Sequence, residues 1–157
     1  MMDAVEARLQ DAGHTLPAPP TPQARYAPFC TWTCAQTTFV SISGQTCRVN
    51  GVPMAGFCHG DSDIAQGKKA AVIATLNALA LLKAACGGDL SRVKQITRLR
   101  GYVRSTPAFT AQSAVIDGAS DLLALAFPSQ PLPARTAVGV SALPGECLVE
   151  IEIEAIL

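Results

Sequence analysis

Between residues 149 and 154 the chain alternates strictly, with Val149, Ile151 and Ile153 on one side and Glu150, Glu152 and Glu154 on the other. Period two marks a strand with one buried and one solvated face. The same period in "RVKQITRLRGYVR" puts Val93, Thr97, Leu99 and Val103 opposite Lys94, Arg98, Arg100 and Arg104. In "LPARTAVGV" it groups Arg135 with Ala137, Gly139 and Ser141, opposite Thr136, Val138 and Val140. This small-residue face of the arginine strand is expected to point away from the helices.

The pattern becomes helical in "SDIAQGKKAAVIATLNALALLKAACGG", which starts at an N-cap, Asp61 or Ser62, and stops at a double glycine. Its second half is apolar nearly all round, so it must be covered on more than one side. A second helix is expected from Pro107 through "AFTAQSAVIDGASDLLALAF", broken or bent near Gly118. Asn50-Gly51 is a strong hairpin signal, closing "TTFVSISGQTCRV" onto "VPMAGF". At the front, "MMDAVEARLQDAG" reads as a short amphipathic helix, and "LPAPPTPQARYAP" as an extended surface lead-in.

Hairpin, helix, strand, helix and two strands make an α+β domain: a mixed sheet with two long helices on one face and its other face uncovered. One domain is expected over residues 1–157, with a helix and proline-rich lead-in at 1–20 and the core at 21–157. An uncovered face bearing Arg, Glu, Ala, Gly and Ser suits a symmetric assembly with clefts between subunits.

Composition narrows the function. Of 157 residues, 49% are hydrophobic and 15% charged, which suits one well-buried core. Twelve basic and twelve acidic residues cancel, so no net field draws a polyanion or a membrane surface, and a small molecule is the expected partner. The first residues are charged rather than a signal sequence and no run is suited to span a bilayer, so the expected location is the cytoplasm. Cys30, Cys34, Cys47, Cys58, Cys86 and Cys147 read as free thiols, because a core of this size needs no staples. "CTWTC" is one loose pair with only His14 and His59 as imidazoles, which argues against zinc.

Arg135 stands out as a guanidinium in an apolar, small-residue strand. It cannot shed its charge, so its surroundings must supply a carboxylate, carbonyls or water. The Arg98, Arg100 and Arg104 stripe reads as a solvated or intersubunit salt-bridge face, or as an anion site.

"VSISGQ", the helix ending "ACGGDLSRV", "GAS", "PARTAVGV" and "VEIEIEAI", in this order, resemble the Rid family of enamine/imine deaminases, also labelled YjgF-like or endoribonuclease L-PSP. The resemblance covers roughly residue 16 to the C-terminus. It implies a chorismate mutase-like α+β fold in a homotrimer with a central barrel and three intersubunit active sites. The implied chemistry is hydrolysis of 2-iminobutanoate or 2-iminopropanoate to a 2-keto acid and ammonia, without a cofactor or metal.

The resemblance also suggests roles. Arg135 matches the arginine that binds the substrate carboxylate, and Glu152 the glutamate that orients or polarises the attacking water. Glu152 equally suits an exposed charge paired with the basic strand. Tyr26 and Ser43 match residues lining the cleft; a core anchor and a strand-end hydrogen bond are their bland alternatives. Two departures stand out: Ala137 replaces a frequent cysteine, and Asp117 falls where an asparagine is common. An aspartate beside the pocket repels a carboxylate unless it is paired. A non-catalytic, small-carboxylate-binding regulatory trimer therefore stands as the alternative, with an endoribonuclease third.

Overall fold

The computed structural model describes residues 1–157, and its order is α1 (Ala4–Asp11), β1 (Phe29–Cys34), β2 (Thr37–Thr46), β3 (Arg48–Val49), β4 (Val52–Pro53), α2 (Ile64–Ala85), β5 (Gln95–Arg104), α3 (Gln112–Ala126), β6 (Ala134–Val140) and β7 (Val149–Ile156). Five strands form one mixed sheet in the order β1-β2-β7-β5-β6. Only β5 and β6 run parallel. α2 packs mainly on β2 and β7, and α3 on β5 and β6, with the two helices in contact on the same face. No helix is long and apolar enough to cross a membrane.

The alternation in β7 appears as a buried row, Val149, Ile151, Ile153 and Ala155, under the helices. In antiparallel register, Arg98 faces Glu154, Arg100 faces Glu152 and Tyr102 faces Glu150 on the open side. Within the basic stripe, Arg100 is ion-paired across the strands, its Nη1 reaching Glu154 at 2.8 Å and Glu152 at 3.4 Å, while Arg98 donates to the Thr136 hydroxyl and Arg104 pairs with Glu146.

α2 can lie close to both sheet and α3 because Ala70, Ala71, Ala74 and Ala78 are all at 0% exposure. Its start is a 3-10 turn over Asp61–Asp63, after which the α-helix begins at Ile64. Asp63, rather than Asp61 or Ser62, takes the N-cap position; its carboxylate makes no bond to the amides of α2 and instead accepts the His59 and Gly60 amides of the preceding turn. Asn50 (φ 51) and Gly51 (φ 80) both adopt left-handed backbone, as a two-residue primed turn requires. That hairpin is a separate two-stranded piece, β3–β4.

Three expectations are corrected. α3 begins at Gln112 rather than Pro107, because Phe109 closes a turn onto the Thr106 carbonyl. It runs unbroken through Gly118, whose role is contact: an added Cβ there would lie 2.6 Å from the Lys68 carbonyl oxygen of α2. The third concerns β6. Register places Arg135 beside Leu99, Ala137 beside Gly101 and Gly139 beside Val103, on the helix side of the sheet. Thr136, Val138 and Val140 take the open side, the reverse of the orientation expected from the small residues.

The amino-terminal helix is tied in. Asp3 and Glu6 form a capping box, Val5 and Leu9 are buried, and Arg8 donates twice to the Ala126 carbonyl at the end of α3, at 3.0 and 2.7 Å.

Candidate functional site

β1 accompanies β2 only as far as Ile42, and a register shift lies between Ile42 and Gln45. Residues 43–46 therefore form a free edge, with carbonyls that need donors. Buried amides supply them. Gln45 Nε2 donates to the Ser43 and Gly44 carbonyls at 2.8 and 3.0 Å, and Asn77 Nδ2 on α2 donates to the Thr46 and Arg48 carbonyls at 3.1 and 2.9 Å. Around this edge opens a cavity of about 770 Å³, with the lead-in from Pro17 to Tyr26 along one side.

Tyr26, Ser43 and Glu152 all line this cavity. Ser43 Oγ donates to the Ala27 carbonyl at 2.6 Å, which ties the lead-in to β2. Tyr26 is about half exposed, and its hydroxyl accepts the Gln23 amide at 3.4 Å, so it is not a core anchor. Glu152 accepts from the Tyr102 hydroxyl at 3.1 Å and from Arg100, which gives it a defined orientation and a neighbouring positive charge.

The residue that sequence reasoning passed over is Glu150, also in the cavity wall. Burial, then the negative charge of Glu152, holds its carboxyl above the usual carboxylate range, with no hydrogen bond or cation offsetting them. The signal was present in the alternation, which put Glu150 and Glu152 on one face; the terminal motif drew attention to Glu152 alone. A partly buried carboxyl with a raised proton affinity, next to one held by an arginine and a tyrosine, is an arrangement suited to acid/base chemistry.

Arg135, Ala137 and Asp117 do not line the cavity. Arg135 lies on the helix side of β6, across the sheet from the faces of Glu150 and Glu152. Its Nη1 donates to Asp117 at 2.7 Å and to the Ser120 hydroxyl at 3.0 Å; its Nη2 donates to the Ser113 hydroxyl at 2.6 Å and, at 3.4 Å, to the Ser113 carbonyl. Asp117 is thus paired. Ser113, Asp117 and Ser120 sit at helical spacing on one flank of α3, a polar stripe that faces the β6 edge. Ala137 packs against the core. One copy of the chain therefore brings together three of the six sequence-selected residues and holds the other three at a separate place.

The cysteines are all unbridged, Cys30 and Cys34 exposed and the other four buried; burial pushes the Cys58 and Cys86 thiols to about 11. No group of three or more His, Cys, Asp or Glu side chains is arranged to hold a metal ion.

Residues 6–154 match the family model described as "YjgF/chorismate mutase-like, putative endoribonuclease". The chain belongs to that family. Protein TCP17 of Trypanosoma cruzi is 36% identical over 150 residues, covering 94% of this chain and 91% of that protein. The crystal structure of Atu1372, a protein of unknown function from Agrobacterium tumefaciens, superimposes with a TM-score of 0.83 at 35% identity, covering 96% of this chain and 91% of that one. A structure described as a "putative endoribonuclease" from Shewanella oneidensis MR-1 gives a TM-score of 0.85 at 31% identity, covering 99% and 100%. The fold is that of the YjgF/chorismate mutase-like proteins.

Proposed function

We propose that this family member hydrolyses reactive 2-imino or enamino acids to 2-keto acids and ammonia. The observation that carries the reading is the carboxyl pair in one cavity: Glu150, whose carboxyl burial and the Glu152 charge hold above the usual range, beside Glu152, which is oriented by Arg100 and Tyr102. Water adds to the carbon of the protonated imine while Glu150, as carboxylate, takes a proton from it; a C–O bond forms and the C=N π pair moves onto nitrogen, giving a carbinolamine. Glu150 then returns that proton to the nitrogen. The C–N bond breaks with its electron pair leaving on ammonia, and the carbinolamine hydroxyl gives its proton to the Glu150 carboxylate as the carbonyl forms. Such proton transfer contributes roughly 10²–10⁴-fold, and no cofactor or metal takes part. Glu152 orients the water and Glu150, while Ser43 and Tyr26 shape the cleft.

The substrate carboxylate needs a cation. Arg100 is paired and Arg104 is engaged with the Gly56 and Glu146 carbonyls and the Glu146 carboxylate, while Arg98 is held by the Thr136 hydroxyl and Arg48, in the cavity wall, by the Thr46 hydroxyl and the Gly51 carbonyl. We assign the carboxylate to Arg135 of a neighbouring copy, whose β6 edge would close the cavity in a homotrimer. The open sheet face supports this assembly. Trp32, 55% exposed and stacked on Phe39, and Val138, 40% exposed, are apolar side chains that a neighbour would cover. The cytoplasm, where dehydratases release such imines, is the proposed setting.

A small-carboxylate-binding regulatory trimer is the second reading, favoured by the prior engagement of Arg135 with Asp117. Arg100 and Arg104 are ion-paired within the chain, which reduces the cationic surface open to an RNA backbone. The test is hydrolysis of 2-iminobutanoate and 2-iminopropanoate generated in situ by a dehydratase, for wild type, Arg135→Ala and Glu150→Gln. Acceleration lost in both variants supports the deaminase. Binding of a 2-keto acid without acceleration supports the regulatory trimer, and salt-dependent RNA cleavage unaffected by Arg135→Ala would establish the ribonuclease.

A further inference from the structure

The guanidinium of Arg135 carries five N–H groups. The four on Nη1 and Nη2 are directed at Asp117, Ser120, the Ser113 hydroxyl and the Ser113 carbonyl, three of these contacts lying at 3.0 Å or less. Only Nε–H remains without a partner within the chain. An incoming carboxylate forms its strong two-point contact with a pair of N–H groups. It cannot do so here without displacing a protein acceptor, and the acceptor of its own chemical kind is Asp117.

We infer that Asp117 is an internal competitor for the carboxylate anchor: it occupies Arg135 in the unliganded protein and sets how strong an anion the site admits. The inference rests on the reading of Arg135 as anchor and goes further, because it makes Asp117 a determinant of specificity rather than a mere departure from the family pattern. A 2-imino or 2-keto monocarboxylate binds by exchange. It takes the Nη positions while Asp117, half exposed at 50%, swings into water on its helix and is rehydrated there. The two serines stay behind as neutral acceptors that hold the guanidinium plane in place. The exchange replaces one carboxylate–guanidinium pair by another, so much of the attraction that an unoccupied arginine would offer is cancelled. The site thereby discriminates against simple monocarboxylates and in favour of ligands that gain further contacts in the large neighbouring cavity.

Asp121, one turn further along α3 and exposed, supplies the control. It carries the same charge on the same helix without a bond to Arg135. Binding of 2-oxobutanoate is measured by calorimetry on the full-length assembly for wild type, Asp117→Asn, Asp121→Asn, Arg135→Ala and the double variant Asp117→Asn/Arg135→Ala, each checked for unchanged melting and oligomeric state. The expected result is that Asp117→Asn tightens binding about 3- to 10-fold, Asp121→Asn changes it less than twofold, and Arg135→Ala abolishes it with or without Asp117→Asn. The gain shrinks as ionic strength rises. Unchanged or weaker binding in Asp117→Asn, with Arg135→Ala still abolishing it, overturns the competitor role and leaves Asp117 as a support for the anchor. Wild-type binding retained in Arg135→Ala, or no binding by any variant, overturns the anchor itself and the inference with it. Asn in place of Asp retains the side chain's shape, so loss of folding in that variant also counts against an exchangeable contact.

Discussion

The carboxylate of Glu150 lies over Gly44, in the space that any side chain on that residue would fill. Glycine at this point of "SGQ" is there for the neighbour's benefit. Gly44→Ala pushes aside only the far end of a flexible side chain, so the fold is expected to hold within about 1 kcal/mol. Under the proposed function, imine hydrolysis is expected to fall about tenfold or more in kcat, because the displaced carboxyl would no longer meet the substrate. Denaturant unfolding and steady-state kinetics on the same preparation separate the two effects.

Glu150 gives stability a pH signature. Its carboxyl holds a proton more tightly in the folded protein than in the unfolded chain, through burial and the charge of Glu152. Protonation therefore favours the fold. This contribution is present at low pH and is lost as pH rises through the folded-state value, where a charge must be carried in a poorly hydrated place. Glu150→Gln is expected to raise the melting temperature at pH 8 and to have little effect at pH 4. A melting series from pH 4 to 8 checks this, and an equal shift at all pH values would refute it.

Gly118 is the contact point between α3 and α2. An added methyl would meet the Lys68 carbonyl oxygen at 2.6 Å and its Cα at 3.0 Å, both backbone atoms that cannot step aside. Gly118→Ala should cost about 1–3 kcal/mol of stability despite its better helix propensity, through overpacking. Urea unfolding is the measurement. A stabilised variant would mean that the helices can separate freely.

The amino-terminal helix is a working part of the core. Leu9 is 1% exposed, and Leu9→Ala should cost about 2–5 kcal/mol through the cavity it leaves. Arg8→Ala should cost less, about 1–2 kcal/mol, by freeing the carbonyl end of α3 that its guanidinium caps. If removing residues 1–12 left the melting temperature unchanged, the docking seen here would be without energetic weight.

The elements that the sequence disclosed are those with one side buried along their whole length. β7 and the later part of β5 alternate because helices cover one face only, and α2 is apolar all round because it meets both the sheet and α3. β1 escaped detection. Its residues "FCTWTC" are exposed at nearly every position, so no burial rhythm is written in them, and its pairing to β2 comes from the turn at Ala35 (φ 53) instead. The facing of β6 was misjudged for a related reason. On an edge strand the small residues Ala137 and Gly139 accommodate α3 and the β5 loop, while Arg135 reaches past them to the polar flank of that helix; only the register with β5 reveals which side this is. For the site, the terminal motif was legible as a glutamate-bearing face. The distinction between Glu150 and Glu152 was not, because it depends on burial against Gly44 and on the side chains of Arg100 and Tyr102 across the strand.

Arg135 and Glu150 stand on opposite sides of the same sheet, so in the proposed ring each copy lends its arginine to one neighbour and borrows from the other. Two inactive proteins would then repair each other. Arg135→Ala subunits still offer an intact carboxyl cleft, and Glu150→Gln subunits an intact anchor. Unfolded together in equal amounts and reassembled, they would regain roughly a quarter of the wild-type sites by random mixing. Catalysis in this protein would be a property of adjacency, shared out between chains that individually possess none of it.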